Sequence, residues 1–272
     1  MGKYAFLMIF LFSVSLLNNA KSDSLSFSYS NFGPGQEFNV GFLGDARAVN
    51  GAIQLTRKDE TYVGGLTLRQ LSVGRVVYIP PVHLWDKTTG KLADFVTEFS
   101  FVVDSIGSPI HADGLSFFII PFGADPSVPK NSSGGYLGLF RPETAFNSYN
   151  NQIVAVEFDS FGNEWDPEPV PTAAHVGIDI NSLESVKFVD WPINSVPEGS
   201  IGKAKISYDS YGKELSVVVS YSGIQPAVVV SVSQTIDLRT VLTEYVRIGF
   251  AGATGDSVET HDLLAWSFSS RI

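Results

Sequence analysis

The sequence predicts an all-β fold, a sandwich of two antiparallel sheets, and three observations predict it. Short runs of β-branched and aromatic residues recur along residues 23–272. Gly, Asn, Asp and Pro punctuate those runs, and no helical period persists beyond about two turns. Strands that follow one another without helical crossovers bury their apolar faces by packing sheet on sheet. In chain order the clearest strands are 95–103 (FVTEFSFVV), 114–120 (GLSFFII), 153–158 (IVAVEF), 204–208 (AKISY), 215–221 (LSVVVSY) and 246–250 (VRIGF). Between the fourth and fifth, Tyr208-Asp209-Ser210-Tyr211-Gly212-Lys213 has the polar and glycine content of a hairpin turn. No repeat, linker or low-complexity stretch divides the chain. Residues 23–272 therefore read as one domain, a common size for a β-sandwich.

The 272 residues are 44% hydrophobic and 17% charged, enough apolar material for a large core and unlike a disordered chain. The start differs from the rest. Lys3 precedes an apolar run from Ala5 to Leu17, then come Asn18 and Asn19, with the small residues Ala20 and Ser22 at cleavage spacing. Residues 1–22 read as a signal peptide, which implies a secreted or vacuolar protein reached through the secretory pathway. The apolar run is shorter than the roughly 20 residues a spanning helix needs, so no membrane insertion is expected. Removing residues 1–22 takes away Lys3 and Lys21 and no acid, leaving 16 basic against 28 acidic residues, a net charge of −12. Such a surface argues against nucleic acid as a partner. There is no cysteine, so stability must come from packing, bound metal or assembly. Asn131-Ser132-Ser133 is a sequon, and Asn131 is a candidate glycosylation site.

The most informative stretch is Val154-Ala155-Val156-Glu157-Phe158-Asp159-Ser160-Phe161-Gly162-Asn163-Glu164-Trp165-Asp166-Pro167, followed by His175-Val176-Gly177-Ile178-Asp179-Ile180. Strand side chains alternate between faces, so Val154, Val156 and Phe158 share one face while Glu157, Asp159 and Phe161 share the other. Val176, Ile178 and Ile180 face the core by the same rule, which puts His175 on the polar face at the start of its strand. Clustered carboxylates repel one another unless a cation neutralises them. Asp, Asn and a backbone carbonyl make the oxygen shell calcium prefers, whereas an imidazole added to carboxylates suits a transition ion such as manganese or zinc. A solvated acidic loop with an incidental histidine is the alternative reading of the same residues.

With these residues the chain resembles the legume lectins, whose metal signature matches Val154–Asp159, Phe161, Asn163, Asp166-Pro167 and His175 with Gly177–Ser182. Further pieces match in order, among them Gly44-Asp45-Ala46, Leu84-Trp85-Asp86, Ala112-Asp113-Gly114-Leu115, Gly134–Phe140, Tyr208-Asp209-Ser210 and Trp266-Ser267-Phe268. The resemblance implies a jelly-roll sandwich and no enzymatic activity. It implies Mn2+ held by Glu157, Asp159, Asp166 and His175, and Ca2+ held by Asp159, the carbonyl of Phe161, Asn163 and Asp166. A serine at or downstream of Ser182 is implied as support. For carbohydrate it implies Asp113 as hydroxyl acceptor, the Asn163 amide and the Gly135 backbone as donors, Phe161 as ring platform, and backbone amides near Asp256 and Ser257 in the loop 254–261. The peptide Ala112–Asp113 is implied to be cis. The loop length resembles mannose- and glucose-binding members, with fucose or galactose as the alternative. Glycans and glycoproteins are the implied partners, and a homodimer or homotetramer would give weak sites avidity.

One departure stands out. Asp166 and His175 are nine residues apart, several more than in most members, with Pro167, Pro169 and Pro171 in the extra loop. An enzyme of the glucanase type would need a second carboxylate near the first, about 5–5.5 Å away in retaining enzymes, and position 161 carries phenylalanine where that strand motif would place one. A storage or digestive-enzyme-inhibitor protein with a lost sugar site is the other rival, and here the full set of implied ligands is present.

Overall fold

The structure is a computed structural model describing residues 23–34, 37–60, 66–167 and 174–272. The signal peptide expected at residues 1–22 lies outside the described residues, as do Pro169 and Pro171 of the extra loop. The described strands are β1 (Ser24–Tyr29), β2 (Val40–Gly44), β3 (Arg47–Val49), β4 (Ala52–Gln54), β5 (Lys58–Glu60), β6 (Leu66–Leu68), β7 (Val73–Tyr78), β8 (Val82–His83), β9 (Asp94–Asp104), β10 (Gly114–Pro121), β11 (Val154–Asp159), β12 (His175–Ile180), β13 (Lys187–Asp190), β14 (Gly202–Asp209), β15 (Glu214–Tyr221), β16 (Val228–Thr235), β17 (Tyr245–Ala253) and β18 (Thr260–Arg271). Three single-turn 3-10 segments accompany them, at Gly134–Tyr136, Ile193–Ser195 and Leu238–Thr240. The expectation of an all-β chain holds.

Two antiparallel sheets form the sandwich. One runs β16-β15-β14-β9-β18-β4-β3, with β1 also on β18; the other runs β13-β12-β11-β10-β17-β7-β2, with β8 also on β17. Sequence neighbours β14 and β15 pair through the expected hairpin, Asp209 opposite Glu214. Other neighbours are brought together across long connections: β10 lies between β11 and β17, and β18 between β9 and β4. This is the jelly-roll arrangement.

Alternation explains the main core. Along β9, Phe95, Phe99, Phe101 and Val103 point inward, and they meet Phe117 of β10, Val156 and Phe158 of β11, Val176 and Ile178 of β12, and Phe250 of β17. Phe158 packs edge-on against Phe99, Phe101 and Trp191 at centroid distances of 5.7, 5.4 and 6.0 Å. Such edge-to-face pairs add to the burial each ring contributes.

The second sheet departs from a simple half-wet pattern. Every residue of β10 and of β11 is buried. A second apolar cluster, built on Phe118, Leu137, Leu139, Phe140, Ala145, Ile153, Ala155 and Leu183, covers its outer face. The face read from alternation as polar is thus roofed by the segment 132–152, and the acidic residues on it sit inside the protein rather than at its surface.

Candidate functional site

β11 and β12 are paired with Asp159 opposite His175 and Glu157 opposite Gly177. Their even positions carry Val156, Phe158, Val176 and Ile178 into the core, which forces Glu157, Asp159, His175 and Asp179 onto the roofed face. Glu157, Asp159 and His175 are all buried, and each brings a ligand atom within 4.8 Å of the other two. His175 Nε2 lies 3.0 Å from Glu157 Oε1. Gly177 makes room for this: a Cβ there would stand 2.5 Å from Glu157 Oε1 and 1.9 Å from Ser185 Oγ.

Ser185 Oγ is 2.6 Å from Glu157 Oε1 and 2.8 Å from Asp179 Oδ1. One hydroxyl hydrogen cannot serve two ionised carboxylates. Burial, followed by the charge of Glu157, pushes Asp179 well above the usual carboxylate range. The supporting serine is therefore Ser185; the Ser182 hydroxyl instead accepts from the amide of Glu184 at 3.3 Å. The sequence left open which serine at or downstream of Ser182 gives this support, and it did not single out Asp179, although Asp179 is the next residue but one after Gly177 on the same strand face.

Burial and then the charges of Asp166 and Glu157 drive Asp159 far above the ordinary carboxylate range. Asp166, at the end of the following loop and outside the 4.8 Å trio, is pushed up to about 6, chiefly by burial with the Asn163 amide opposing. For His175 burial works against the charged form, but the hydrogen bond and charge of Glu157 and the charge of Asp166 outweigh it and the net shift is upward. Burial is thus the largest cause of the two carboxyl shifts, with neighbouring carboxylates adding to it, and the same carboxylates raise His175 against its burial. The donor set fits a dication.

The loop after β11 carries the remaining candidates. The Phe161 amide donates to Asp159 Oδ1 at 2.8 Å, and the Asn163 amide donates to Asp166 Oδ2. Asn163 Oδ1 is sealed from solvent with no hydrogen-bond partner, as an oxygen reserved for a cation would be. Phe161 remains 36% exposed, an apolar ring left at the surface. Across from it, Gly135 sits so close that a Cβ would lie 2.1 Å from Asn163 Oδ1 and 3.0 Å from the Trp165 ring. Trp165 stacks on Tyr136 at 5.5 Å and meets Phe146 edge-on at 5.5 Å, bracing the two loops together. Those aromatic contacts were not foreseen.

Asp113 precedes β10, and the Ala112–Asp113 peptide is cis. Its carbonyl accepts from the Ser160 amide at 2.9 Å, tying it to the end of β11. Its carboxyl is boxed by Gly134 and Gly255: a Cβ on Gly255 would meet Asp113 Oδ2 at 2.8 Å, and one on Gly134 would meet Asp113 Oδ1 at 3.9 Å. Burial, then the charge of Glu259, pushes this carboxyl up to about 7; no hydrogen bond reaches Oδ2, though the Gly255 amide dipole opposes the shift. Behind it Glu259 is fully buried and bonded to His111 Nδ1 and His261 Nε2, each at 2.9 Å, and it accepts from Ser160 Oγ at 2.5 Å. Burial opposes the Glu259 charge, but the bonds from His111 and His261 outweigh it and hold its carboxyl below the usual range.

In the loop 254–261, Asp256 is exposed and Ser257 half-buried, and Gln70 Nε2 donates to the Asp256 carbonyl at 2.6 Å. Gln70 and Leu71, whose amide donates to the Gly255 carbonyl at 3.2 Å, are neighbours of this loop that the sequence did not reveal. Asn131 is exposed, with φ of 59°, three residues before Gly134.

The structure thus brings Asp113, Gly135, Asn163 and the Gly255 turn together beside a buried acidic and histidine cluster. Comparison with known proteins gives this arrangement its context. The legume lectin domain family matches residues 24–272. Lectin 8 of Medicago truncatula is 48% identical over 98% of this chain and 94% of its own length. The mannose/glucose-specific lectin of Centrolobium tomentosum is 43% identical over 92% of this chain and 97% of its own length. Among solved structures, lectin I-B4 from Griffonia simplicifolia, in its metal-free form, is 38% identical with a TM-score of 0.81, covering 91% of this chain and all of its own. Lectin II of Ulex europaeus in complex with galactose is 36% identical with a TM-score of 0.77, covering 91% and 99%. On the match across residues 24–272 and the identity to these relatives, the chain belongs to the legume lectin family of carbohydrate-binding proteins.

Proposed function

We propose that this chain is a secreted or vacuolar lectin that needs Ca2+ and Mn2+ and binds mannose- or glucose-type sugars. The observation that carries this reading is Asn163 Oδ1: a buried, partnerless oxygen beside Gly135 and Asp166, between the acidic cluster and the Asp113 group. In this assignment Glu157, Asp159, Asp166 and His175 hold manganese, with Ser185 and Asp179 orienting Glu157. Asp159, the Phe161 carbonyl, Asn163 and Asp166 hold calcium. The two dications supply charge that cancels the crowded carboxylates and a fixed anchor for the loop 161–166.

The chain's own groups then do the recognition. Asp113 accepts from adjacent sugar hydroxyls through its otherwise partnerless oxygen, Asn163 donates through its amide nitrogen, and Phe161 offers its exposed ring to the C–H face. The Gly135 amide and the amides near Asp256 and Ser257 close the edges. A glycan on exposed Asn131 would stand beside this rim. The mannose/glucose assignment draws on the loop 254–261 and on the Centrolobium relative; the galactose complex of the Ulex lectin supports galactose as the second reading.

Glycan-array binding of the protein loaded with Ca2+ and Mn2+, repeated after chelation and with Asp113→Asn, tests the proposal. Binding to mannose or glucose arrays that vanishes in both controls is the expected result. Galactose binding with the same metal dependence moves the specificity to the second reading. A folded, metal-loaded protein that binds no glycan replaces the lectin reading with a storage or inhibitor role.

A further inference from the structure

A second set of metal-ligating side chains lies at the other end of β17 from Asp113. His83, Asp86 and Glu244 each present a ligand atom within 4.8 Å of the other two. All three are half-buried. His83 closes β8, opposite Tyr245 at the start of β17, and its ring stacks on Tyr245 at 4.6 Å with the planes 13° apart. Its orientation is therefore fixed by packing.

The two ring nitrogens are treated differently. Nδ1 lies 2.9 Å from Asp23 Oδ2, so a carboxylate there accepts the Nδ1–H hydrogen bond and favours the tautomer with the lone pair on Nε2. Nε2 is sealed from solvent, has no hydrogen-bond partner, and faces Glu244 Oε1 at 3.6 Å. That separation is too long for a hydrogen bond. It suits two donors on one dication, which stand about 3–3.6 Å apart when each bond is about 2.1 Å. A carboxylate on one imidazole nitrogen with the other nitrogen free is the arrangement that orients metal-binding histidines.

The carboxylates are held as firmly as the ring. Leu84 and Asp86 are set by bonds from the Leu84 amide to the Glu244 carbonyl and from the Asp86 amide to the Lys91 carbonyl, both 2.8 Å. Asp86 Oδ1 accepts from the Thr89 amide and hydroxyl at 2.6 and 2.8 Å, and Glu244 Oε1 accepts from the Lys87 amide at 3.1 Å. The Glu244 oxygen that faces His83 Nε2 is thus itself oriented by the Lys87 amide.

We propose that His83, Asp86 and Glu244 form a third metal site, taking a first-row transition dication of the zinc class, with Asp23 orienting His83. One imidazole and two carboxylates favour such an ion over calcium. The site would tie the start of β1 and the end of β8 to the turn before β17, next to the chain end where the Ile272 amide meets the Asp23 carbonyl at 3.1 Å.

The test is calorimetric titration of Zn2+ into the protein already loaded with Ca2+ and Mn2+, with released manganese counted so that exchange at the His175 site is separated. The expected result is one further equivalent of Zn2+ bound without manganese release, lost in His83→Gln and weakened at least tenfold in Glu244→Gln. Asp23→Asn should weaken it about 10–100-fold. Agglutination should be unchanged in all three variants, and melting curves should show Zn2+ raising Tm in the wild type and not in His83→Gln. Uptake that equals manganese release, or one that persists unchanged in His83→Gln, overturns the proposal. The difference between wild type and His83→Gln reads this site alone, so the result stands apart from whether the protein binds sugar.

Discussion

At Gly177 an added methyl would meet Ser185 Oγ and Glu157 Oε1 at distances no carbon tolerates. Glu157 would have to leave the position in which it touches His175 and Ser185. Gly177→Ala should therefore lower affinity for a dication at the Glu157 cluster by about tenfold or more, a loss of the size seen when supporting contacts of ligands are removed, measured by titrating the metal-free protein. Gly135 makes the corresponding constraint on Asn163, and Gly135→Ala should remove glycan binding while circular dichroism stays native. Asp113→Asn keeps the shape of the side chain and deletes its charge. A charge-assisted bond is worth about 1.5–3 kcal/mol, so sugar affinity should fall about 10–100-fold in calorimetry.

Elements show why these residues cannot be judged singly. β11 serves two roles through one alternation: Val156 and Phe158 feed the core while Glu157 and Asp159 feed the cluster. Phe158 is fully buried among Phe99, Phe101 and Trp191. Phe158→Ala should cost about 3–5 kcal/mol in urea unfolding, because the ring's burial is lost and the cavity collapses only partly. The strand pattern of β9, β10, β11, β14, β15 and β17 was legible from alternation and punctuation, with boundaries displaced by a residue or a few; β17, for instance, extends to Ala253 rather than ending at Phe250. Short strands such as β3, β4 and β8 were not legible. Two or three residues carry too little pattern, and their pairing is set by the partner strand.

For the whole molecule the governing fact is that carboxyl groups are buried, with further carboxylates beside them. Asp113, pushed up to about 7, and Asp166, up to about 6, both bind protons more tightly in the folded chain than in the unfolded one. For a raised carboxylate the folded state holds the extra proton between the unfolded and folded values, so stability falls as pH rises through that window. Metal-free protein should accordingly lose Tm between about pH 4 and pH 7 on account of this cluster. Metal-loaded protein should lose less, since a dication would replace the proton on Asp166 while Asp113, which holds no metal in this assignment, still titrates. Melting curves across that range with and without chelator check the sign: a metal-free Tm that rises over the window would mean that the carboxylates are balanced by some other charge.

What the sequence by itself determined was the fold class and the local order of the candidate ligand residues. Alternation along a strand and the spacing of Glu157, Asp159, Asn163, Asp166 and His175 are properties of neighbouring residues, and β11 and β12 did place Asp159 opposite His175. Only the tertiary structure decided that the cluster is roofed by the segment 132–152, that Ser185 rather than Ser182 supports Glu157, that Gln70 holds the Asp256 loop, and that Asp23 reaches His83. Those contacts join residues tens to hundreds of positions apart. A one-dimensional pattern records which face a side chain takes, whereas its partner across a sheet or loop is chosen by the packing of the whole core.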